Sequence, residues 1–200
     1  MREHEIAHWR DALQTAFQVA HGPAVREGQE VGASVPGSRI LINQAQLEAG
    51  RMLRHIPRLP VQNANWLHFA YQVEYQSSPH RNLAQELFEQ LSSRQQLHAT
   101  TRSTFYQLCL AALIQARLSR QAVSTTPPFT TTDLATLVGL ANPGPTSWSR
   151  SRWAPRWRDL LAHIDSLDRA SIIELVELRQ LIRKCQEITH QCASPPISRR

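Results

Sequence analysis

Apolar residues recur along this chain at steps of three and four, the spacing that lines one face of a helix. Ile6, Trp9, Leu13, Ala16, Phe17 and Ala20 form such a stripe between Glu3 and Ala20, and His21-Gly22-Pro23 ends it. Leu41, Ala45, Ala49, Met52, Leu53 and Ile56 predict a second helix over 40–56. Arg51 and Arg54 fall near its C-terminal end, where positive charge complements the helix dipole. Trp66, Phe69, Ala70 and Val73 predict a third helix over 65–73. Ser78-Pro79 reads as the N-cap and first helical position of a fourth, which runs through Leu83, Leu87, Phe88 and Leu91. Phe105, Leu108, Cys109, Ala112, Leu113 and Ala116 carry a fifth, starting at Thr100 or Thr101 and leaving through the basic run Arg117-Leu118-Ser119-Arg120, which again suits a helix C-terminus. Nothing in this half alternates with the period of two that a strand requires. The predicted fold class is all-α.

The rest of the pattern divides the chain. Residues 1–121 read as a helical body interrupted by a Gly- and Pro-containing flexible loop over 22–38. The polar segment VSTTPPFTTT marks a linker over 122–131. Residues 132–190 then form a small C-terminal domain, and 191–200 a disordered tail. Within that domain Thr132 is expected to cap a short helix with Asp133 in its first turn, Leu134, Ala135, Leu137 and Val138 as its apolar face, and Gly139 as its end. Pro155 can open a further helix through Trp157, Leu160, Leu161 and Ile164, and Asp168 is expected to cap a last one. Leu175, Leu178, Ile182 and Cys185 make a narrow seam on that last helix, which would serve either a homodimer or packing against the chain's own helices.

Composition changes the picture in one respect. The formal charge is +6 with a pI near 10.0, and all but one of the 22 basic residues are arginine, the exception being Lys184. Base composition of the coding DNA would produce that skew on its own. Arginine is also the side chain whose fixed fork suits phosphate and guanine. Three cysteines make no disulfide framework, and the spacing of Cys185, His190 and Cys192 departs from the paired spacing of structural zinc sites, so no metal and no cofactor is expected. The N-terminal residues lack the apolar core of a signal peptide and no run approaches a membrane span, which favours a cytoplasmic protein with no membrane partner. The histidines are scattered, and neither a zinc-protease motif, a glycine-rich phosphate loop nor a nucleophile elbow occurs, so an enzyme is not expected.

The densest chemistry lies between Thr130 and Asp159, where four arginines and three tryptophans fall within residues 148–158. Helix-turn-helix units need a small residue where two helices cross, a glycine at the turn and a buried apolar residue in the second helix. Ala135, Gly139 and Trp148 can fill those places. The segment resembles the helix-turn-helix of phage and bacterial regulators, with a departure: Asn142-Pro143-Gly144-Pro145 makes the turn longer and stiffer. With Pro145 first in the second helix, Thr146, Ser147, Ser149 and Arg150 occupy its opening turns, where base-contacting side chains usually lie. Arg150 or Arg152 can present a fork to guanine, Arg156 and Arg158 can clamp phosphates, and hydroxyls and helix N-terminal amides suit phosphate oxygens.

The whole layout, an Arg-rich helical chain ending in an atypical helix-turn-helix, resembles phage- or prophage-encoded transcription regulators, including the late-gene antiterminators called Q proteins. That resemblance implies binding to double-stranded DNA near a promoter, with RNA polymerase or another protein as a partner. Two other readings use the same patch. One is a helical protein-binding module, an inhibitor or adaptor, anchored by Trp and Arg. The other is an RNA-binding protein that stacks bases on exposed Trp rings. Trp66, Phe69 and Tyr71 suggest a stacking platform by type, but their helical spacing argues for core.

Overall fold

A computed structural model describes residues 1–21, 44–93, 98–121 and 127–193, in which helices are joined by turns and bends, with no strand among them. The helices are α1 (Glu3–His21), α2 (Gln44–Leu53), α3 (Val61–Tyr71), α4 (Ser77–Ser92), α5 (Ala99–Arg120), α6 (Thr131–Leu137), α7 (Pro145–Arg150) and α8 (Trp153–Ala193). A single 3-10 turn, Ile56–Arg58, links α2 to α3. The predicted all-α class is the observed one. The loop expected over 22–38, part of the linker and most of the tail lie outside the described residues.

α3 occupies the middle. Trp66, Leu67, Phe69, Ala70 and Tyr71 are all buried, so this helix is apolar on nearly every side and has neighbours on each. α1, α4, α5 and α8 pack against it. The apolar cluster is continuous from Ile6 in α1 to Val176 in α8, and includes Leu134, Ala135 and the tryptophans at 148, 153 and 157. The aromatic platform considered at 66–71 is therefore core.

Helix ends differ from expectation in ways the contacts explain. α4 begins one residue before Ser78, with Gln76 as its N-cap, so Pro79 sits within the first turn, where a missing N–H costs nothing. Arg117, expected to complement the end of its own helix, is buried and serves α3 instead. Its guanidinium donates to the carbonyls of Phe69 (2.7 Å), Gln72 (2.9 Å) and Val73 (3.1 Å), the acceptors left open where α3 stops. Burial lowers its pKa from the usual arginine value.

The largest departure is α8. The break expected at Asp168 does not occur, and the helix runs 41 residues, about 60 Å. Asp and Ser weaken helices because their side chains compete for nearby backbone groups. Here that competition is removed. Ser171 Oγ donates to the Leu167 carbonyl one turn back (2.7 Å), which leaves the backbone path intact. Asp168 is fully buried, and its carboxylate accepts from four donors on three other helices. Oδ1 takes the Trp66 indole N–H and the Tyr71 hydroxyl, both at 2.9 Å. Oδ2 takes Nε of Arg10 (2.8 Å) and of Arg120 (3.1 Å). Of the seam residues, Leu175 is buried in the chain's own core, Leu178 and Ile182 are half-buried, and Cys185 is exposed.

Candidate nucleic-acid interface

The α6–α7 unit is built by three local devices. Thr130, rather than Thr132, caps α6: its hydroxyl accepts from the Asp133 amide (3.2 Å) while the Asp133 carboxylate accepts from the Thr130 amide (2.8 Å), a reciprocal capping box. The Thr130 bonds hold the Asp133 carboxyl below its ordinary range. At the other end Gly139 adopts φ 71°, and the amides of Gly139 and Leu140 return to the carbonyls of Thr136 and Ala135, each at 3.0 Å. This is a Schellman ending, which needs a residue able to take a left-handed conformation. Pro145 then opens α7 at a position whose N–H has no helical acceptor.

Ala135 is fully buried, Gly139 turns the chain at a positive φ and Trp148 is 6% exposed. α7 itself is shorter than expected. It has six residues, and Ser151 is already extended. The run of hydroxyls and arginines therefore spans a short helix, a two-residue joint and the first turns of α8.

The candidate side chains separate into two sets. Thr146, Ser149, Arg150, Arg152 and Arg158 are exposed. Neither Arg150 nor Arg158 meets a carboxylate among the described residues. Ser147 is half-buried, and both serine hydroxyls donate to backbone carbonyls three residues back, Ser147 Oγ to Gly144 O (2.9 Å) and Ser149 Oγ to Thr146 O (3.0 Å). Thr146, Ser147 and Arg150 also line a shallow concavity of about 340 Å³ with Asn142, Gly144 and Pro145. The exposed Arg152 and the half-buried Arg156 are instead engaged with the packing. Both guanidiniums lie over the buried Trp153 ring, at 5.3 and 5.1 Å, and Arg152 reaches Thr101 on α5. Burial, then the neighbouring Arg152, lowers the Arg156 pKa.

Trp148, Trp153 and Trp157 are all buried. They are structural, and no ring of the three is presented for base stacking. Asp165, which could have neutralised the patch, pairs with Arg10, Arg120 and Arg169 instead. The Arg–Trp153–Arg arrangement was not anticipated, although residues one before and three after a helical Trp can reach its ring. Cys185 is exposed, whereas the side chains of His190 and Cys192 lie outside the described residues. Among those described, no cluster of three metal-ligating side chains occurs, and no helix is long and apolar enough to cross a membrane.

The model of the phage antitermination protein Q family matches residues 19–194. The chain belongs to that family. No curated protein and no solved structure matches it. Membership of the Q family makes the chain a phage-type antiterminator, a protein that acts on transcription. The matched span contains all of α6 and α7 and every candidate arginine, and it begins within α1, after Trp9 and Arg10.

Proposed function

We propose that this antiterminator works by binding double-stranded DNA through the α6–α7 unit and the start of α8, and that its helical body contacts RNA polymerase. The role is one of binding rather than catalysis. The observation that carries the reading is the pair of exposed guanidiniums of Arg150 and Arg158, which meet no carboxylate among the described residues. They flank a joint whose tryptophans are locked into the core, so the cations are held on a rigid base. Arg150 supplies the fork nearest the turn, and Thr146 the exposed hydroxyl. A rigid platform limits the side-chain ordering that binding must offset.

Fluorescence anisotropy with labelled duplex fragments, titrated across a range of salt, tests this. Replacing Arg150 and Arg158 together with Ala is expected to weaken binding and to flatten the log–log salt dependence by about 1.8, the amount two phosphate contacts contribute. An unchanged slope and affinity would remove the α6–α7 unit from the interface. The competing Trp-anchored protein-binding and RNA-stacking readings lose support, because both need exposed rings at 148, 153 or 157.

A further inference from the structure

A second concavity, of about 850 Å³, is lined by α1, α2 and the later part of α8. Four arginines face it: Arg51 and Arg54 from α2 and its end, Arg179 and Arg183 from α8. None of its lining residues carries a carboxylate. At its margin Arg183 pairs with the exposed Glu187 at 3.2 Å, and Glu5 and Glu177 line the adjoining concavity. Both arginine pairs are spaced three or four residues apart, so each helix presents a row of forks on one side.

His55 gives this groove its direction. The residue is 5% exposed, and its Nε2 accepts from Arg54 Nε at 3.5 Å. A neutral ring that accepts on Nε2 carries its proton on Nδ1. That Nδ1 is buried and has no hydrogen-bond partner among the described residues. Buried donors are ordinarily satisfied, and an orphan among arginines asks for an anionic acceptor. Burial and the charges of Arg54, Arg58 and Arg179 lower the ring's pKa, so the site is electropositive with the imidazole neutral. Arg179 covers the Trp9 ring at 5.1 Å, which leaves that face closed to a stacked base. The ligand that fits is therefore a phosphate, held by forks and the imidazole N–H, and not a base or an apolar group.

We propose that this groove is a second nucleic-acid contact, separate from the α6–α7 patch, which holds phosphodiester groups of the bound strand. It rests on the reading that the chain binds nucleic acid, but not on the place assigned to Arg150 and Arg158. Arg179 is left intact in the test because it packs on Trp9. The variant is Arg51→Gln/Arg54→Gln/Arg183→Gln, all three positions being exposed.

Anisotropy is measured on duplex DNA and on single-stranded RNA. The variant is expected to lower the log–log salt slope by about 2.7 on the duplex, or by about 2.1 on the single strand, depending on which supplies the phosphates. A variant of an exposed arginine on α4, Arg81→Gln, should change the slope little. Unchanged slopes on both probes, or an equal loss per residue in that control, would overturn the site. Absence of binding to either probe by the unaltered chain would overturn both this proposal and the preceding one. If the variant fails to fold, the His55 ring resonances of the unaltered chain decide. They should shift, with a raised pKa, when nucleic acid is added, and immobility with both probes counts against the groove. Loss of slope here with none in Arg150→Ala/Arg158→Ala would keep the groove and reject the α6–α7 assignment, and the converse result would do the reverse.

Discussion

Arg120, at the last turn of α5, donates Nε to Oδ2 of the fully buried Asp168 in the middle of α8, 48 residues further on. Its Nη2 donates to Asp165 one turn earlier, and Arg10 of α1 engages the same two carboxylates. The Tyr71 hydroxyl and Trp66 indole complete the set from α3. One carboxylate thus fixes the register of α8 against α1, α3 and α5. Because α7 is joined to α8 through only Ser151 and Arg152, this register also sets where Arg150 and Arg158 stand.

Replacing Asp168 with Asn keeps an acceptor for Trp66 and Tyr71 but sets a neutral amide against two guanidiniums. Removing one partner of a buried ionic cluster is strongly destabilising. Arg10 and Arg120 keep some solvent, and Asp165 still pairs with both, so the expected loss is at the lower end, about 3 kcal/mol. Urea denaturation followed by tryptophan fluorescence measures it. A loss no larger than that of an ordinary surface substitution would deny the cluster this role.

Gly139 isolates the turn between α6 and α7. An added Cβ would meet nothing within 4 Å, so the whole cost of Gly139→Ala is backbone strain at φ 71°. That is worth about 1–2 kcal/mol. Thermal melting should show a fall of this size, while Gly144→Ala, at an extended φ of 177°, should cost less. Equal effects at the two glycines would contradict the Schellman ending.

The four arginines of 150–158 should separate by stability. Arg152→Ala and Arg156→Ala each remove a guanidinium from the Trp153 face and should cost about 0.5–1 kcal/mol. Arg150→Ala and Arg158→Ala remove exposed groups that pair with no carboxylate among the described residues, and should fall within about 0.5 kcal/mol of the parent. Melting temperatures of the four single variants test the division, which is independent of any ligand.

The helices were legible wherever an apolar stripe is local. Ala135, Gly139 and Trp148 could be assigned because the geometry of a helix, a tight turn and a second helix constrains neighbours within a dozen residues. Asp168 was misread for the opposite reason. An Asp near a Ser reads as a cap, and the donors that keep it inside a helix come from positions 10, 66, 71 and 120. Arg117 and Arg120 were likewise taken as partners of their own helix end, since nothing local marks their acceptors on α3 and α8. Within the candidate interface, residue type grouped Arg150, Arg152, Arg156 and Arg158 together. Only packing shows that two of them are engaged with Trp153.

His80 links this packing to pH. Its Nε2 donates to the Leu110 carbonyl at 3.0 Å, so the neutral ring accepts from the Tyr75 hydroxyl at Nδ1 (2.7 Å), and the ring stacks on Phe69 at 5.1 Å. Burial lowers its pKa, Arg117 and Arg81 lower it further, and the bond to Leu110 only partly opposes them. With the folded value depressed, the unfolded chain takes up the proton first as pH falls. The stability His80 contributes is complete above its ordinary value of about 6.5 and is lost progressively below it. His55 has the same sign. Glu86, raised by burial and by Glu89, has the opposite sign, its contribution being complete below the ordinary glutamate range and lost above it. Melting temperature should therefore fall from neutral pH toward pH 5.5, and His80→Gln should flatten part of that fall. A variant that follows the parent curve without change in slope would mean that His80 titrates as freely in the folded chain as in the unfolded one.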